Sequence, residues 1–294
     1  MKLARFEAVS GGHPPFTRSQ GNERPGVIDS QGGLRDLSGL IADIDARTLS
    51  PQALAMLAAV DPRTLPLVTG PVRYGCPVAR VGKIVAAGLN YADHAAESGL
   101  PVPAEPVLFM KPSSAIVGAN DSVVIPRGSV KTDWEVELGV VIGKRASYVS
   151  KDAALGHVAG YCVVNDVSER AYQIERAGTW DKGKGCDTFA PVGPWLVTAD
   201  EVGDPQQLDL WLEVNGRRFQ NGNTRTMVFD VATLISYISE FMTLEPGDIV
   251  ITGTPPGVGM GQKPPVYLKA GDVMTLGVQG LGEQRQVLVP WQGE

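Results

Sequence analysis

The alternation of hydrophobic and polar positions along the chain predicts many short strands and few helices. "KLARFEAV" and "RPGVIDSQGGLRDL" read as short strands around a Gly- and Pro-rich loop. "SPQALAMLAAV" reads as a helix, with Ser50 as its N-cap and Pro51 at the first helical position. A turn-rich stretch, "GPVRYGCPVARVGK", links this leading part to the rest. Beyond it, "KIVAAGLN", "DSVVIP", "TDWEVELGVVIG" and "YCVVNDVS" read as strands, while "YADHAAES" and "SKDAALGHVAG" read as short helices. "LWLEVNGRRFQNG" predicts a hairpin turning at Asn215-Gly216 in a type I′ turn. "FDVATLISYISEFMTL" has the clearest helical period, with Asp230 as cap and Val231, Leu234, Ile235, Ile238 and Met242 on its apolar face. "IVITG" and "KAGDVMTLGVQGLGEQRQVLV" supply the last strands.

Helices so few and so short do not make a regular βαβ barrel. The pattern predicts a β-rich α+β fold without internal repeats, divided into a small N-terminal domain at 1–75 and a main domain at 76–294. The 35 Gly and 22 Pro fit many tight turns better than long helices. A net charge of −6 without a basic stripe argues against a nucleic-acid partner. No apolar run is long enough for a membrane span, and "MKLARFEAVSGG" lacks the long apolar segment of a signal peptide. Cys76, Cys162 and Cys186 are odd in number and not in CxxC spacing. A reducing cytoplasm is therefore expected, and a disulfide framework or zinc ribbon is not.

Candidate chemistry begins inside "TDWEVELGVVIG". Glu135 and Glu137 sit two apart, so a strand presents both on one side while Trp134, Val136 and Leu138 face the other. Such a pair can be a solvated face matched by Lys or Arg. Here the strand is otherwise apolar, and a third acid, Asp166, ends another apolar strand. Three carboxylates meeting at the edge of a core repel one another, and a divalent cation removes the conflict. An all-oxygen set suits Mg²⁺, Mn²⁺ or Ca²⁺ rather than zinc. His94 and Glu97 lie three apart on a predicted helix, which suits either a general-base pair or a surface contact. Lys184 stands between Gly183 and Gly185, on an expected loop. Arg170 and Gln173 lie one helical turn apart, and Thr254 opens a Gly-rich turn after a strand. That turn is neither a Walker loop nor a dinucleotide fingerprint.

Together, "GLNYADHAAE", "PVLFMKPSSAIVG", "DWEVELGVVIGK", "AGYCVVNDVSER", "KGKGCDTFAPVGP", "WLEVNGRRFQNGNT" and "LEPGDIVITGTPPGVG" resemble the fumarylacetoacetate hydrolase family. The likeness runs from about residue 82 to 280 in the family's order, and the ExE strand followed by an Asp about thirty residues on is its specific element. The wording around "NDVSERAYQIERAGTWDKGKGCDTFAPVGPW" resembles the hydrolases of 2,4-diketo-3-deoxy-L-rhamnonate and L-fuconate.

The resemblance implies a mixed β-roll, a homodimer and a Mg²⁺- or Mn²⁺-dependent enzyme acting on a small 2-oxo acid. It implies Glu135, Glu137 and Asp166 as metal ligands, and His94 with Glu97 as a dyad on a lid helix. Lys184 becomes the active-site lysine, and Gln173 and Thr254 become substrate-binding residues; Arg170, one helical turn from Gln173, is read as a third. The implied reaction is hydrolysis of the C3–C4 bond of an acylpyruvate, giving pyruvate and, from a six-carbon diketo-deoxy acid, lactate. A decarboxylase of oxaloacetate-like acids, a hydratase or a ureidoglycolate-type lyase could use the same residues.

Overall fold

The computed structural model describes residues 1–9, 21–97 and 101–293, with the side chains of 94–96 outside the description. The fold is α+β and rich in sheet: one sheet of eleven strands and one of five among the described residues, joined by short helices. At the centre of the larger sheet, Val136–Ile142 pairs antiparallel with Val158–Asn165 on one side and Ile249–Ile251 on the other. Ile84–Gly88 runs parallel to Ile249–Ile251, and Val107–Lys111 returns antiparallel beside it. Ala190–Thr198 flanks Val158–Asn165.

Period two sorts the central strand between two cores. Val136, Leu138 and Val140 join Trp134, Val163, Leu210, Leu212 and Leu276 in the core between the two sheets. Val141 points the other way, to Cys162, Val164, Ile249 and Ile251. A strand covered on both faces explains why its sequence runs apolar rather than alternating.

The Val231–Phe241 helix closes the first core. Asp230 Oδ1 accepts from Thr233 N at 2.7 Å, capping the helix, and Val231, Leu234, Ile235 and Ile238 are buried beneath it. Each such side chain contributes roughly 1.5–3 kcal/mol of burial. The predicted hairpin joins Asp209–Val214 to Arg217–Asn223, with φ of 51° at Asn215 and 76° at Gly216, as a type I′ turn demands. "SKDAALGHVAG" is α-helical over Lys151–Ala154 and tightens into a 3-10 turn over Leu155–His157. His157 O accepts from Gly143 N at 2.8 Å and Lys144 N at 3.2 Å, so the helical stretch ends there and the chain enters the sheet at Val158.

The leading strands extend the larger sheet. Lys2–Ala8 pairs with Ala190–Thr198 and with Arg24–Ile28, which in turn pairs with Leu34–Asp36. The Pro51–Ala58 helix is capped as expected, Ser50 Oγ accepting from Ala53 N at 3.3 Å. Arg73 donates from Nε to Asp121 at 2.8 Å and from Nη1 to Glu23 at 2.8 Å, all three side chains being buried. Removing one member of such a pair typically costs about 3–5 kcal/mol. No helix among the described residues is long and apolar enough to cross a membrane.

Candidate active site

The strand expected over 132–143 is broken. Thr132–Asp133 and Val136–Ile142 are separate elements, with Trp134 and Glu135 between them, because Thr132–Asp133 turns away to pair with Ser168–Glu169. The backbone donors at the break need partners. Two buried amide side chains supply them: Asn165 Oδ1 accepts from Glu135 N at 3.3 Å, and Gln220 Oε1 from Val136 N at 3.0 Å.

The two glutamates converge in spite of the break. Ligand oxygens of Glu135, Glu137 and Asp166 lie within 4.8 Å of one another, and all three residues are buried. Asp166 N donates to Glu135 O at 2.9 Å, which locks the end of one strand to the start of the other. Glu137 accepts from Gly253 N at 2.7 Å. Burial, and then the charges of Asp166 and Glu135, push the Glu137 carboxyl well above the usual carboxylate range. Three buried oxygen donors that repel one another fit a hard divalent cation.

Buried cations surround the acids. Lys184 Nζ donates to Glu135 at 2.6 Å and to Asp166 at 2.7 Å. Its residue is not on a loop, as the flanking glycines suggested, but ends a short helix, Asp181–Lys184. Gly183 serves close packing there, since a Cβ would overlap the Glu169 carbonyl and stand 2.6 Å from Gln173 Cβ. Burial opposes the Lys184 charge, but Asp166 and Glu135 outweigh it and raise its pKa. Arg170 Nη2 lies 2.7 Å from Glu135, and its Nη1 donates to Gln173 Oε1 at 3.0 Å. The helix Arg170–Ile174 brings these two together one turn apart.

His94 and Glu97 share the helix Ala92–Glu97, although the His94 side chain lies outside the described residues. The Glu97 carboxylate accepts from Gly257 N at 3.0 and 3.1 Å. Thr254 stands beside the acids with its hydroxyl engaged inside the protein. It donates to Val136 O at 2.8 Å and accepts from Gln220 Nε2 at 2.7 Å.

Two residues of the site escaped the sequence reading. Lys111 Nζ donates to Asp166 at 2.6 Å, to Val167 O at 3.2 Å and to the Lys184 carbonyl, with a side chain wholly buried. Burial lowers its pKa against the pull of Asp166. Asp133, also fully buried, accepts from Arg170 Nε at 2.9 Å. Their signals were a lysine ending an apolar strand and an acid two residues before Glu135.

Comparison with known proteins places this arrangement. A relative from Burkholderia multivorans, named "Putative hydrolase", is 65% identical over 98% of this chain and 98% of its own. The structure of fumarylacetoacetate hydrolase from Exiguobacterium antarcticum is similar with a TM-score of 0.85 and 34% identity, covering 99% of this chain and all of that one. Maleylpyruvate hydrolase from Sphingobium sp. SYK-6, solved with manganese(II) and pyruvate, is similar with a TM-score of 0.78 and 31% identity, over 99% of this chain and all of that one. The family profile described as "Fumarylacetoacetate (FAA) hydrolase C-terminal" matches residues 83–289, a span that holds every acid and cation of the cluster. The chain belongs to the fumarylacetoacetate hydrolase family.

Proposed function

We propose that the protein is a metal-dependent acylpyruvate hydrolase, cleaving the C3–C4 bond of a 2,4-diketo acid, with 2,4-diketo-3-deoxy-L-rhamnonate or its fuconate epimer as the substrate that yields pyruvate and lactate. The observation that carries the reading is the buried cluster of Glu135, Glu137 and Asp166 braced by Lys184. The manganese and pyruvate held by the Sphingobium enzyme support a 2-oxo acid at a site of this kind.

Glu135, Glu137 and Asp166 would hold Mg²⁺ or Mn²⁺. When bound, the cation supplies Lewis-acid charge against the negative charge that builds up on a 2-oxo acid as its carbon–carbon bond breaks. His94, oriented by Glu97, takes a proton from a water directed at the C4 carbonyl. The new C–O bond makes a tetrahedral C4, and its collapse breaks C3–C4. C4 leaves as a carboxylic acid, and the electron pair passes to the three-carbon fragment, which gains a proton at C3 to become pyruvate. Lys184 and Arg170 add fixed positive charge beside the acids, already oriented before substrate arrives.

The experiment is a panel of acylpyruvates and diketo-deoxy sugar acids incubated with the Mg²⁺-loaded protein, with products identified. Equal amounts of pyruvate and lactate from the diketo-deoxy acid are expected. Release of CO₂ without lactate would make the protein a decarboxylase. Cleavage of simple acylpyruvates alone would keep the reaction and remove the sugar acid.

A further inference from the structure

Four donors converge on the Asp133 carboxylate. Oδ1 accepts from Trp134 N at 2.8 Å and Gly259 N at 2.6 Å, and Oδ2 from Met260 N at 2.9 Å and Arg170 Nε at 2.9 Å. The residue is fully buried, so these charge-assisted bonds form away from water, where they hold geometry most firmly.

The donors belong to two paths. The first is short: Arg170, held through Nε by Asp133, reaches Glu135 with Nη2 at 2.7 Å. The second runs through the loop that begins at Gly257. Trp134 Nε1 donates to Gly257 O at 3.1 Å, while Gly257 N donates to both oxygens of Glu97. Gly257 itself has φ +108°, and a Cβ there would overlap the Phe219 carbonyl. The loop is thus gripped by Asp133 and Trp134 on one side and offers its N–H to Glu97 on the other.

We propose that Asp133 is a positioning residue for the dyad: it fixes the Gly257–Met260 backbone on which Glu97 rests and, by the same carboxylate, holds Arg170 against Glu135. The proposal rests on the reading that Glu97 serves His94 in acylpyruvate hydrolysis. Asp133 touches no reacting atom. An asparagine in its place keeps one acceptor oxygen and turns an NH₂ toward donors, so part of the set loses its acceptor.

The test compares full-length wild type, Asp133→Asn, Glu97→Gln and the double variant. Acetylpyruvate with Mg²⁺ gives kcat and KM, and backbone amide exchange is followed without substrate. Asp133→Asn should lower kcat about 10- to 100-fold, the scale of changes one shell out from a metal site, with a smaller effect on KM. The double variant should lose little beyond the worse single one, because both act through one backbone segment. Amides of Gly257, Gly259 and Met260 should exchange about tenfold faster in Asp133→Asn, the rate change of roughly 1.4 kcal/mol in local opening. If that variant does not fold, Met260→Pro removes a single donor to Asp133, leaves Arg170 in place, and should shift exchange and kcat in the same directions. Kinetic losses that multiply, or unchanged exchange at Gly257 and Gly259, would overturn the proposal. If wild type cleaves no acylpyruvate, the reaction reading falls, and the exchange comparison decides the hold of Asp133 on the loop by itself.

Discussion

The Lys184 ammonium bridges Glu135 and Asp166, at 2.6 and 2.7 Å, and so ties together an acid just before one strand and an acid just after its neighbour. It is the cation that most directly offsets their repulsion. Lys184→Met should lower kcat by about 10²- to 10³-fold, the usual loss when a preorganised positive group is removed. It should also lower thermal stability in the presence of EDTA more than in the presence of Mg²⁺, because a bound divalent ion replaces part of the lost charge. Melting curves with and without metal check this, and equal losses in the two conditions would contradict it.

Metal removal gives the second expectation. EDTA should abolish turnover, and Mg²⁺ or Mn²⁺ should restore it. The ion should also raise the melting temperature of wild type, since a ligand at a hundred times its Kd contributes about 2.7 kcal/mol. Glu137→Gln should weaken that shift, because Glu137 is one of the three converging donors. Full activity after exhaustive chelation would remove the metal from the mechanism.

The dyad behaves differently. His94→Ala and Glu97→Gln should each lower kcat by about 10²- to 10⁴-fold. Neither is among the converging acids, so calorimetric titration with Mn²⁺ should show metal binding retained. Near-normal turnover in both variants would end the water-activating role.

Gly257→Ala tests the backbone under Glu97. With φ +108° and the Phe219 carbonyl where a Cβ would go, the substitution must displace the loop. A loss of several kcal/mol is expected, on the scale of about 1–3 kcal/mol for the backbone strain alone. Denaturant unfolding measures it, and a neutral result would mean that the loop yields freely.

Asp230 offers a prediction away from the site. Asp230→Ala should cost about 1 kcal/mol, roughly 2–4 °C in melting temperature, without altering kcat. Partial burial opposes its charge, but bonds from Lys151 and from the Thr233 side chain and N–H outweigh it and hold the carboxyl below the ordinary range. A depressed folded pKa means that the added stability is complete above the unfolded value of about 3.9 and is lost as pH falls through the folded value. The gap between wild type and Asp230→Ala in urea melts should therefore narrow in acid and stay constant near neutrality.

The central strand, the Asn215-Gly216 hairpin and the capped Val231–Phe241 helix were legible because their signals are local: period, turn residues and caps. The convergence of Glu135, Glu137 and Asp166 was legible because three acids on apolar strands have few other reasons to be there. The break at Trp134–Glu135 was not, since it depends on Asn165 and Gln220 arriving from other strands to take the freed donors. Lys111 reads as an ordinary strand-end lysine until Asp166 and the Lys184 carbonyl are seen around it. Nothing near Lys2–Ala8 reveals that its partner is Ala190–Thr198, because that pairing is set by the whole sheet.

The amides that mend the broken strand extend further inward. Asn165 Nδ2 donates to Gln286 Oε1 at 3.1 Å, Gln286 Nε2 to Gln284 Oε1 at 3.0 Å, and Gln284 Nε2 to Val163 O at 2.8 Å. None of these groups gains or loses a proton in the range where carboxylates and imidazoles do. The amide part of the frame beneath the acids is therefore acid-proof in kind: these side chains can keep one hydrogen-bond pattern while the carboxylates above them change protonation.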